Sequence, residues 1–330
     1  MKKRGVGLGC AWYGTGYGNG FPDVSSAFVE IHDDGTATVL TGAIDVGQGS
    51  NTVFAQIAAE ELGLDAEDIN VYTGDTDTTP DTGTTAATRQ TYNTGNAVLK
   101  AVREAKRRLL AYAAREFGCP TLEGIELKDG MIRVIGDPSR CKPLGGMVFR
   151  ARLNGERFIS AESSTARTTP LNMATGQGAP YWPYSFGCHT AEVEVDTETG
   201  IVRVIKVVAA QDLGKAINPL QVEGQMAGAV AQGIGYALLE EVELKEGQIQ
   251  NPAYSGYLIP TALDVPKIQS IIVEAAETSG PYGAKGLGEP AMLPVVAAVI
   301  NAIDNAVGVR ITSLPATPEK ILRALAEKKS

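Results

Sequence analysis

The feature that most constrains the fold of this chain is a plan of elements that occurs twice along it. In the first copy, residues 27–31 and 36–42 alternate between apolar and polar side chains, which predicts a β-hairpin. The segment DVGQGSN (45–51) follows, and apolar residues at helical spacing then predict a helix over about 52–62 that ends at Gly63. Such a hairpin and helix can bury their apolar side chains against each other.

The second copy has the same order of elements without obvious sequence identity to the first. Residues 188–196 and 201–210 predict another hairpin, residues 212–219 a loop, and about 220–240 an apolar helix that contains AQGIG (231–235). The two copies together predict an α+β fold, with mixed β-sheets and helices on one side of them.

We place the two similar halves at residues 1–150 and 151–330. The first half also contains a predicted strand at 70–74 and an amphipathic helix over 96–117. Residues 119–185, which are rich in Gly, Pro, Thr and Ser, are expected to be the least regular part of the chain.

The charge and hydropathy of the chain argue against several classes of partner. The net charge is −9 and the longest basic run is Lys2-Lys3-Arg4, so we expect neither nucleic acid nor an anionic membrane surface to bind. No apolar stretch reaches the roughly 18 residues of a membrane span, and the apolar segment 292–300 is short and contains Pro294. We therefore expect a soluble, cytoplasmic protein.

The cysteine and histidine pattern does not predict a protein-ligated metal. The four cysteines are widely spaced without a C-x-x-C pair, and the chain has two histidines, His32 and His189. Cys188 and His189 are adjacent, so a strand would point them to opposite faces. A zinc site, an iron–sulfur site and a catalytic Cys–His or Ser–His pair are all disfavoured.

Three loops share a composition that suits a polar ligand. GQG (47–49), the loop 82–95 and AQGIG (231–235) combine small residues with hydroxyl or carboxamide side chains. Exposed backbone N–H groups and short hydroxyls can hold a phosphate or another anion. No Walker motif and no G-x-G-x-x-G between strand and helix is present, so an ordinary nucleotide fold is not indicated. Threonine-rich turns and glycines at helix starts are the alternative interpretation of each loop.

A single carboxylate stands out in GAKGLGEP (283–290). Glu289 follows three glycines and precedes Pro290, which is suited to the first position of a helix. A structural role is possible, because a carboxylate at a helix N-terminus is stabilising by roughly 0.3–1 kcal/mol. The alternative is a functional acid or base.

Four motifs, in this order, resemble the molybdopterin-binding subunit of the molybdenum hydroxylases, the xanthine dehydrogenase and aldehyde oxidase family. They are GQG (47–49), TTAAT (84–88), GQMAGAVAQGIG (224–235) and GAKGLGEP (283–290). The resemblance extends from about residue 4 to 320 and concerns the C-terminal part of the family's molybdenum-binding chain. The arrangement is similar to that of nicotinate dehydrogenase, in which the molybdenum subunit is split in two.

The resemblance implies a molybdenum–molybdopterin dinucleotide cofactor, expected in its cytosine form. The metal would be held by the pterin and not by side chains. The residues implied to bind the cofactor are Gly47, Gln48, Gly49, Thr85, Ala86, Ala87, Thr88, Gln90, Gln232 and Gly286. Arg89 and Gln90 depart from the small residues often found at their positions. A buried amide bonded to backbone is the structural alternative for Gln232.

The resemblance also implies a reaction. Glu289 would be the general base in the hydroxylation of an electron-poor carbon, with water as the source of oxygen. Tyr13 and Tyr17 would stack on or bond to a heteroaromatic substrate, with core packing as the alternative. Nicotinate, converted to 6-hydroxynicotinate, is the best candidate, while purines, aldehydes and other N-heterocycles stay open.

Partners are implied as well, because the chain has no motif for iron–sulfur clusters or flavin. They would be a second, larger molybdopterin-binding subunit, a [2Fe–2S] subunit and an FAD subunit, with NAD(P) as the linked acceptor. A non-catalytic module that binds or inserts the cofactor is the alternative from a different class.

Overall fold

The computed structural model describes residues 1–18 and 21–328, which divide into two compact units. Unit 1 comprises Met1–Gly14, Tyr184–Ala275 and Leu287–Ser330, and unit 2 comprises Thr15–Pro183 and Ala276–Gly286. The units are interleaved along the chain, unlike the consecutive parts 1–150 and 151–330, because the first strand pairs with a strand that begins at Tyr184. Each unit contains one copy of the repeated plan.

Unit 1 is built on a four-stranded sheet with the order β1-β9-β10-β13. Its strands are β1 (Lys2–Gly14), β9 (Tyr184–Asp196), β10 (Val202–Asp212) and β13 (Lys267–Val273). Its helices are α4 (Pro219–Leu238), α5 (Glu289–Val307) and α6 (Pro318–Glu327), and a short hairpin joins β11 (Leu244–Lys245) to β12 (Gln248–Ile249). Apolar side chains of β9, β10, α4 and α5 form its buried core.

Three glycines explain how β1 packs in unit 1. A Cβ at Gly5, Gly7 or Gly9 would lie 2.0–2.3 Å from a carbonyl oxygen of α5, so only glycine permits this contact. Residues 7–14 of the glycine-rich stretch 7–20 belong to β1, which was not among the predicted strands. Its alternating glycines are required by the helix backbone, and residues 19 and 20 lie outside the described part of the chain.

Helix α5 is long and apolar enough to cross a membrane by length and composition alone, with 19 residues and a mean hydropathy of 1.5. Pro294 lies inside it, so the helix continues through the residue that was expected to limit the apolar segment. Because 56% of its most apolar window is buried and it packs on β1, it acts as a core helix of unit 1.

Unit 2 contains two sheets, with the orders β4-β3-β2-β8 and β5-β6-β7. Its strands are β2 (Val24–Ile31), β3 (Ala37–Thr41), β4 (Ile69–Thr73), β5 (Ile125–Lys128), β6 (Met131–Val134), β7 (Asp137–Pro143) and β8 (Phe158–Thr165). Its helices are α1 (Ser50–Leu62), α2 (Gly95–Phe117) and α3 (Leu144–Leu153). Helix α1 connects β3 to its parallel neighbour β4.

The predicted α+β class with mixed sheets is confirmed. Both hairpins, β2–β3 and β9–β10, are antiparallel as predicted, and α1 ends at Gly63 in the left-handed region (φ 63°). The expectation that 119–185 is irregular is wrong, because this range contains β5–β8 and α3. Strand β7 (DPSRCKP) is polar and has no clear alternation, so periodicity could not reveal it.

Candidate functional site

The predicted GQG segment lies in unit 2 between the end of β3 and the start of α1. The Asp45 carboxylate accepts hydrogen bonds from three backbone N–H groups, those of Gly47 at 2.9 Å, Gly49 at 3.2 Å and Asn51 at 3.1 Å. Burial acts to raise the pKa of Asp45, but these three hydrogen bonds outweigh it and hold the pKa below its ordinary value. A charged carboxylate therefore fixes the turn from inside.

Gln48 supports the same segment with its carboxamide. Its Oε1 accepts a hydrogen bond from the N–H of Val46 at 2.7 Å. Its Nε2 donates to Ile44 O at 2.8 Å and to Ser50 Oγ at 2.9 Å. Gln48 thus holds the backbone that would face a ligand, and its own contact with the cofactor stays a prediction.

The two glycines of this segment leave its backbone open. Gly47 (φ 109°) and Gly49 (φ 83°) both lie in the left-handed region that favours glycine. A Cβ placed at Gly47 would meet nothing within 4 Å. A ligand can therefore approach the backbone at Gly47, as its predicted role requires.

Thr85 connects the GQG segment to the second predicted loop. Its Oγ1 accepts hydrogen bonds from the N–H of Ile44 and from Gln90 Nε2, both at 2.9 Å. Gln90 is 6% exposed, and its Oε1 accepts a further hydrogen bond from Thr94 Oγ1. Gln90 was predicted to touch the cofactor. The structure places its carboxamide behind Thr85, where it positions the loop, and its contact with the cofactor stays a prediction.

The loop reverses sharply at Ala87 and Thr88. Both residues have positive φ, 54° and 57°, which is uncommon for residues with a side chain and clusters at functional sites. Gly286 packs against this turn, since a Cβ there would lie 1.8 Å from Thr88 O. The structure therefore brings the predicted residues Thr85, Thr88 and Gly286 together in unit 2.

Arg89 organises this loop from beneath, and sequence reasoning had given it no role. Its side chain is fully buried and forms an ion pair with Asp23. Its guanidinium also donates to the backbone carbonyl oxygens of Thr82, Thr84 (3.3 Å) and Val24 (3.0 Å) and to Ser25 Oγ (3.1 Å). In a trans peptide the N–H points away from the C=O. The N–H groups that follow Thr82 and Thr84 are therefore directed away from Arg89.

Tyr17 belongs to the same support. The Arg89 guanidinium carbon lies 5.1 Å from the centre of its ring, within cation–π range, and its hydroxyl donates to Thr84 O at 2.5 Å. Asn93 Nδ2 in turn donates to the Asp23 carboxylate at 2.7 Å. These contacts give Tyr17 a loop-positioning role, while contact with substrate stays a prediction.

Glu289 is the first residue of α5 in unit 1. The helix has Gly288 as its N-cap without a side-chain hydrogen bond, and Pro290 follows in the first turn. The close contact of Gly9 with Pro294 O fixes this end of the helix on β1. Glu289 itself is exposed on the chain. Its backbone position is therefore rigidly defined, while its carboxylate is accessible.

Gln232 and Tyr13 belong to the same unit. Gln232 is exposed on α4, which excludes the alternative of a buried amide. The next residue, Gly233, packs against Val295 in the second turn of α5. A Cβ placed at Gly233 would lie only 2.5 Å from Val295 Cβ. Tyr13 is on the same face of β1 as Gly9, four residues further along the strand, and it is half-buried. Gln232, Tyr13 and Glu289 thus lie toward one end of unit 1.

Cys188 and His189 point to opposite faces of β9, as predicted. Cys188 is exposed and His189 is fully buried. Within the described residues, neither ring nitrogen of His189 has a hydrogen-bond partner, and burial lowers its pKa to about 4. His189 is therefore neutral at physiological pH and is a core residue of unit 1.

The residues present fit a polar cofactor that carries its own metal ligands. Gly47, Thr84 and Ala86 of unit 2 are exposed and have small side chains around them, and short hydroxyls and loop backbone of this kind suit phosphate and other anions. Among residues 1–18 and 21–328, no group of three or more His, Cys, Asp or Glu side chains is placed to hold a metal ion. The donor set is thus one of backbone N–H, hydroxyl and carboxamide groups.

Comparison with known proteins identifies the class. The family model described as a molybdopterin cofactor-binding domain matches residues 1–266. The chain is 35% identical over 327 residues to the xanthine dehydrogenase molybdenum-binding subunit of Escherichia coli O157:H7, which covers 97% of this chain and 42% of that subunit. It is 34% identical over 331 residues to the gamma subunit of the 6-hydroxypseudooxynicotine dehydrogenase complex of Paenarthrobacter nicotinovorans, covering 97% and 39%.

Among solved structures, quinoline 2-oxidoreductase from Pseudomonas putida 86 has a TM-score of 0.87 and 32% identity, over 99% of this chain and 42% of that one. The chain therefore belongs to the molybdenum hydroxylase family of xanthine dehydrogenases and aldehyde oxidoreductases, and it matches the C-terminal part of their molybdenum-binding chains. It spans about two fifths of the length of these relatives. The recognition made from the four motifs is confirmed.

Proposed function

We propose that this chain is the base-bearing part of a molybdenum hydroxylase that hydroxylates an N-heteroaromatic compound with water as the source of oxygen. The observation that supports this most directly is Glu289, which is accessible at the rigidly placed N-terminus of α5, in the same unit as Gln232. A relative of similar fold is named for quinoline, a nitrogen heterocycle. Our best candidate for the reaction is nicotinate to 6-hydroxynicotinate.

The reaction balances as substrate C–H plus water giving C–OH, two electrons and two protons. The molybdenum–molybdopterin cofactor, in our proposal the cytosine dinucleotide, supplies the redox chemistry that takes up the two electrons. Glu289 accepts a proton from the water whose oxygen enters the product, which is the work of a positioned general base. Gln232, in the same unit, offers a donor and an acceptor without adding charge.

The residues of unit 2 would hold the cofactor. Backbone and hydroxyl groups in 84–88 would bind its polar and phosphate groups, and the open backbone at Gly47 would let it approach the GQG segment, with Gln48, Gln90 and Arg89 fixing that backbone from behind. Tyr13 and Tyr17 would act nearer the substrate. The electrons would leave through a [2Fe–2S] subunit and an FAD subunit to NAD(P), in a cytoplasmic complex that also contains a larger molybdopterin-binding subunit.

The test is substrate conversion by the complex of this chain with the polypeptide of the same organism that matches the remaining part of the relatives. Nicotinate, xanthine and an aromatic aldehyde are supplied in isotopically labelled water, with an artificial electron acceptor. We expect turnover of nicotinate, with one labelled oxygen in the product. Turnover of xanthine or the aldehyde alone would reject the N-heteroaromatic preference, and an unlabelled product would reject the reaction class.

A second candidate is a non-catalytic module that binds or inserts the cofactor. It is favoured by one observation, namely that the matching cofactor-binding family model ends at residue 266, before Glu289. This candidate requires that the chain binds the cofactor by itself. We expect the singly expressed chain to retain none, so near-stoichiometric molybdenum in the purified single chain would favour the module instead.

A further inference from the structure

The sheet of unit 1 has one face that the described residues leave largely exposed. Helices α4 and α5 pack on one side, where Ala191, Val193 and Val207 are fully buried. Every second side chain of β1 points to the other side of the sheet, where Leu8 is 51% exposed and Trp12 is 69% exposed. Because α5 already contacts the glycines of β1, it cannot cover this second side.

The strand register shows that the exposed side chains form rows across the sheet. Cys10 of β1 is opposite Cys188 of β9, Cys188 is opposite Ala210 of β10, and Ala210 is opposite Ile271 of β13. Trp12 and Phe186 form the start of the next row. We define the open face as the outward side chains Leu8, Cys10, Trp12, Phe186, Cys188 and Ile271.

The opposite end of the same side is polar and satisfied by its own ion pairs. Glu194 accepts from Lys2 at 2.8 Å and from Arg4 at 3.2 Å, and Glu192 lies 3.4 Å from Arg4. The side therefore changes along the strands from paired charges to apolar groups. Such a gradient distinguishes the open face from a sheet side that is simply solvated.

The apolar area is as large as the largest patch on a typical monomer, and such a patch is often functional. Phe186 is 55% exposed and Ile271 42%, in addition to the exposed Leu8 and Trp12. If large side chains present roughly 150–250 Å² each, the open face offers on the order of 500 Å². That is at the upper end of the largest patch on a typical monomer, about 300–600 Å². It amounts to somewhat more than half of the roughly 800 Å² per partner of a standard interface.

The position of the open face relates it to the proposed catalytic residue. Gly5 contacts Ala302 of α5, whereas Gly9 contacts Pro294, so α5 runs antiparallel to β1. The end of the sheet with Trp12 and Phe186 is therefore the end at which α5 begins with Glu289. A chain docked on the open face would reach the same end of the sheet as Glu289, from the side opposite to α5.

We propose that the open face docks the part of the molybdenum-binding subunit that this chain does not contain. The relatives match 97% of this chain but extend well beyond it, since the matched region is only 42% of their length. The equivalent of this chain therefore folds in them together with a larger remainder. The identity of the occupant rests on the proposed function, whereas the open face itself does not.

Cysteine labelling provides a direct test, because Cys10 and Cys188 lie at the centre of the open face with their Sγ atoms 3.7 Å apart. Cys141 is exposed on β7 of unit 2 and is the internal control. Partial desolvation and the neighbouring Cys10 raise the pKa of the Cys188 thiol, so the thiols are reduced, the reductant is removed under argon, and N-ethylmaleimide is then applied at about pH 8.5, near the ordinary thiol pKa. Peptide mass spectrometry then gives the rate at each cysteine.

We compare the isolated chain with its complex with the polypeptide that matches the remainder of the relatives. The open face is accessible only in the dissociated chain. When the free partner polypeptide is at ten times the Kd, about one tenth of the chain is dissociated, so labelling of Cys10 and Cys188 should be about tenfold slower than in the isolated chain. Labelling of Cys141 should not change. A complex in which Cys10 and Cys188 react at the isolated-chain rate overturns the proposal, and so does the lack of any complex.

A matched pair of variants extends the test to affinity. Phe186 on the open face and Phe149 on α3 of unit 2 are both 55% exposed, so Phe186→Glu and Phe149→Glu make the same change at equally accessible sites. Phe186→Glu should raise the Kd about 30-fold or more, as expected for a central interface residue. Phe149→Glu should change it less than about threefold, as for a position away from the interface. Equal effects of the two variants overturn the proposal.

The outcomes also separate this inference from the proposed function. The isolated chain could instead form a dimer that protects both cysteines and is dissociated by Phe186→Glu. That result would assign the open face to a second copy of this chain and overturn the proposed occupant. Labelling and Kd need neither cofactor nor substrate. A complex in which Cys10 and Cys188 are protected from labelling but no substrate is turned over would therefore reject only the proposed function. An active complex in which both cysteines are freely labelled would reject only the docking proposal.

Discussion

The two units hold their predicted site residues in opposite ways. In unit 2 the predicted side chains are turned inward, with the carboxamides of Gln48 and Gln90 bonded within their own loops and Arg89 buried beneath them. In unit 1, Gln232 and Glu289 are exposed on helices whose backbones are fixed by glycine contacts. At the predicted site, unit 2 therefore presents shaped backbone, and unit 1 presents exposed side chains.

This contrast has a physical reason. A large anionic ligand can be held by many backbone N–H groups, so the side chains near it serve best by fixing the loop that presents them. A general base must bring one side chain to the reacting atoms, so it needs a rigid backbone and an accessible carboxylate. Substitutions in the two units should accordingly differ in whether they reduce stability or turnover.

The largest effect on turnover is expected from Glu289→Gln in unit 1. The substitution keeps the size and a hydrogen-bonding group but removes the proton acceptor, and positioned general bases contribute about 10²–10⁴ in rate. The helix loses at most a modest dipole interaction, roughly 1 kcal/mol or less. Substrate-dependent reduction of the complex, normalised to molybdenum content, measures the loss. A variant within a few-fold of the wild type would leave Glu289 as a helix-start residue only.

The largest effect on stability is expected from Arg89→Met in unit 2. Breaking a buried ion pair from one side typically costs about 3–5 kcal/mol, and Asp23 keeps its bond to Asn93 (2.7 Å), which places this case near 3 kcal/mol. The free energy of unfolding in urea measures the loss, and molybdenum content of the complex should fall with it.

Arg107→Met is the control for Arg89→Met. Arg107 is paired with Glu104 on the surface of α2 and is 59% exposed, so its loss should cost about 0.5 kcal/mol or less. If Arg89→Met were no more destabilising than Arg107→Met, the loop 82–88 would not depend on the buried guanidinium. The inward-facing side chains of unit 2 would then contribute little to the stability of its loops.

The sequence predicted the helices and hairpins well because their apolar periodicity is strong. Helices α1, α2 and α4 begin and end within a few residues of the predicted bounds, and Gly63 ends α1 as expected. Strand β1 was not among the predicted strands. The spacing of two between its glycines, at Gly5, Gly7 and Gly9, was an available signal for a strand pressed against a helix backbone.

The site was only partly predictable for a different reason. The motifs located the loops and Glu289, but burial and hydrogen bonding depend on residues far apart in the chain. Arg89 is paired with Asp23, which lies 66 residues earlier, and no local sequence pattern predicts that pair. For the same reason the sequence could not distinguish Gln90, which supports Thr85, from a residue that faces a ligand.

A pH-dependent effect on stability is expected in unit 1 from His189, and it reaches its full size only in acid. Burial alone lowers its pKa to about 4, below the ordinary value near 6.5. The unfolded chain therefore binds more protons between these values, so stability is complete above about pH 6.5 and is lost as pH falls through the window. The shift corresponds to about 3 kcal/mol at or below pH 4.

His189→Leu isolates this contribution. The ring nitrogens have no partner within the described residues, so an apolar side chain of similar size should be nearly neutral at pH 7. The difference in unfolding free energy between variant and wild type should then change by about 3 kcal/mol in favour of the variant at pH 4. A difference that is constant with pH would mean that His189 becomes protonated without cost in the folded chain.

The smallest effect is expected from Gln232→Ala, which tests whether exposure in unit 1 indicates function. The side chain is exposed on α4, so stability should change by no more than about 0.5 kcal/mol. If the carboxamide binds the cofactor in the assembled complex, its removal should cost about 1 kcal/mol, the typical worth of a hydrogen bond. Turnover per molybdenum should then fall roughly fivefold. Gln225→Ala makes the same change about 10 Å earlier on the same helix, and it should leave turnover unchanged. Equal turnover in both variants would restrict the functional side chains of unit 1 to Glu289.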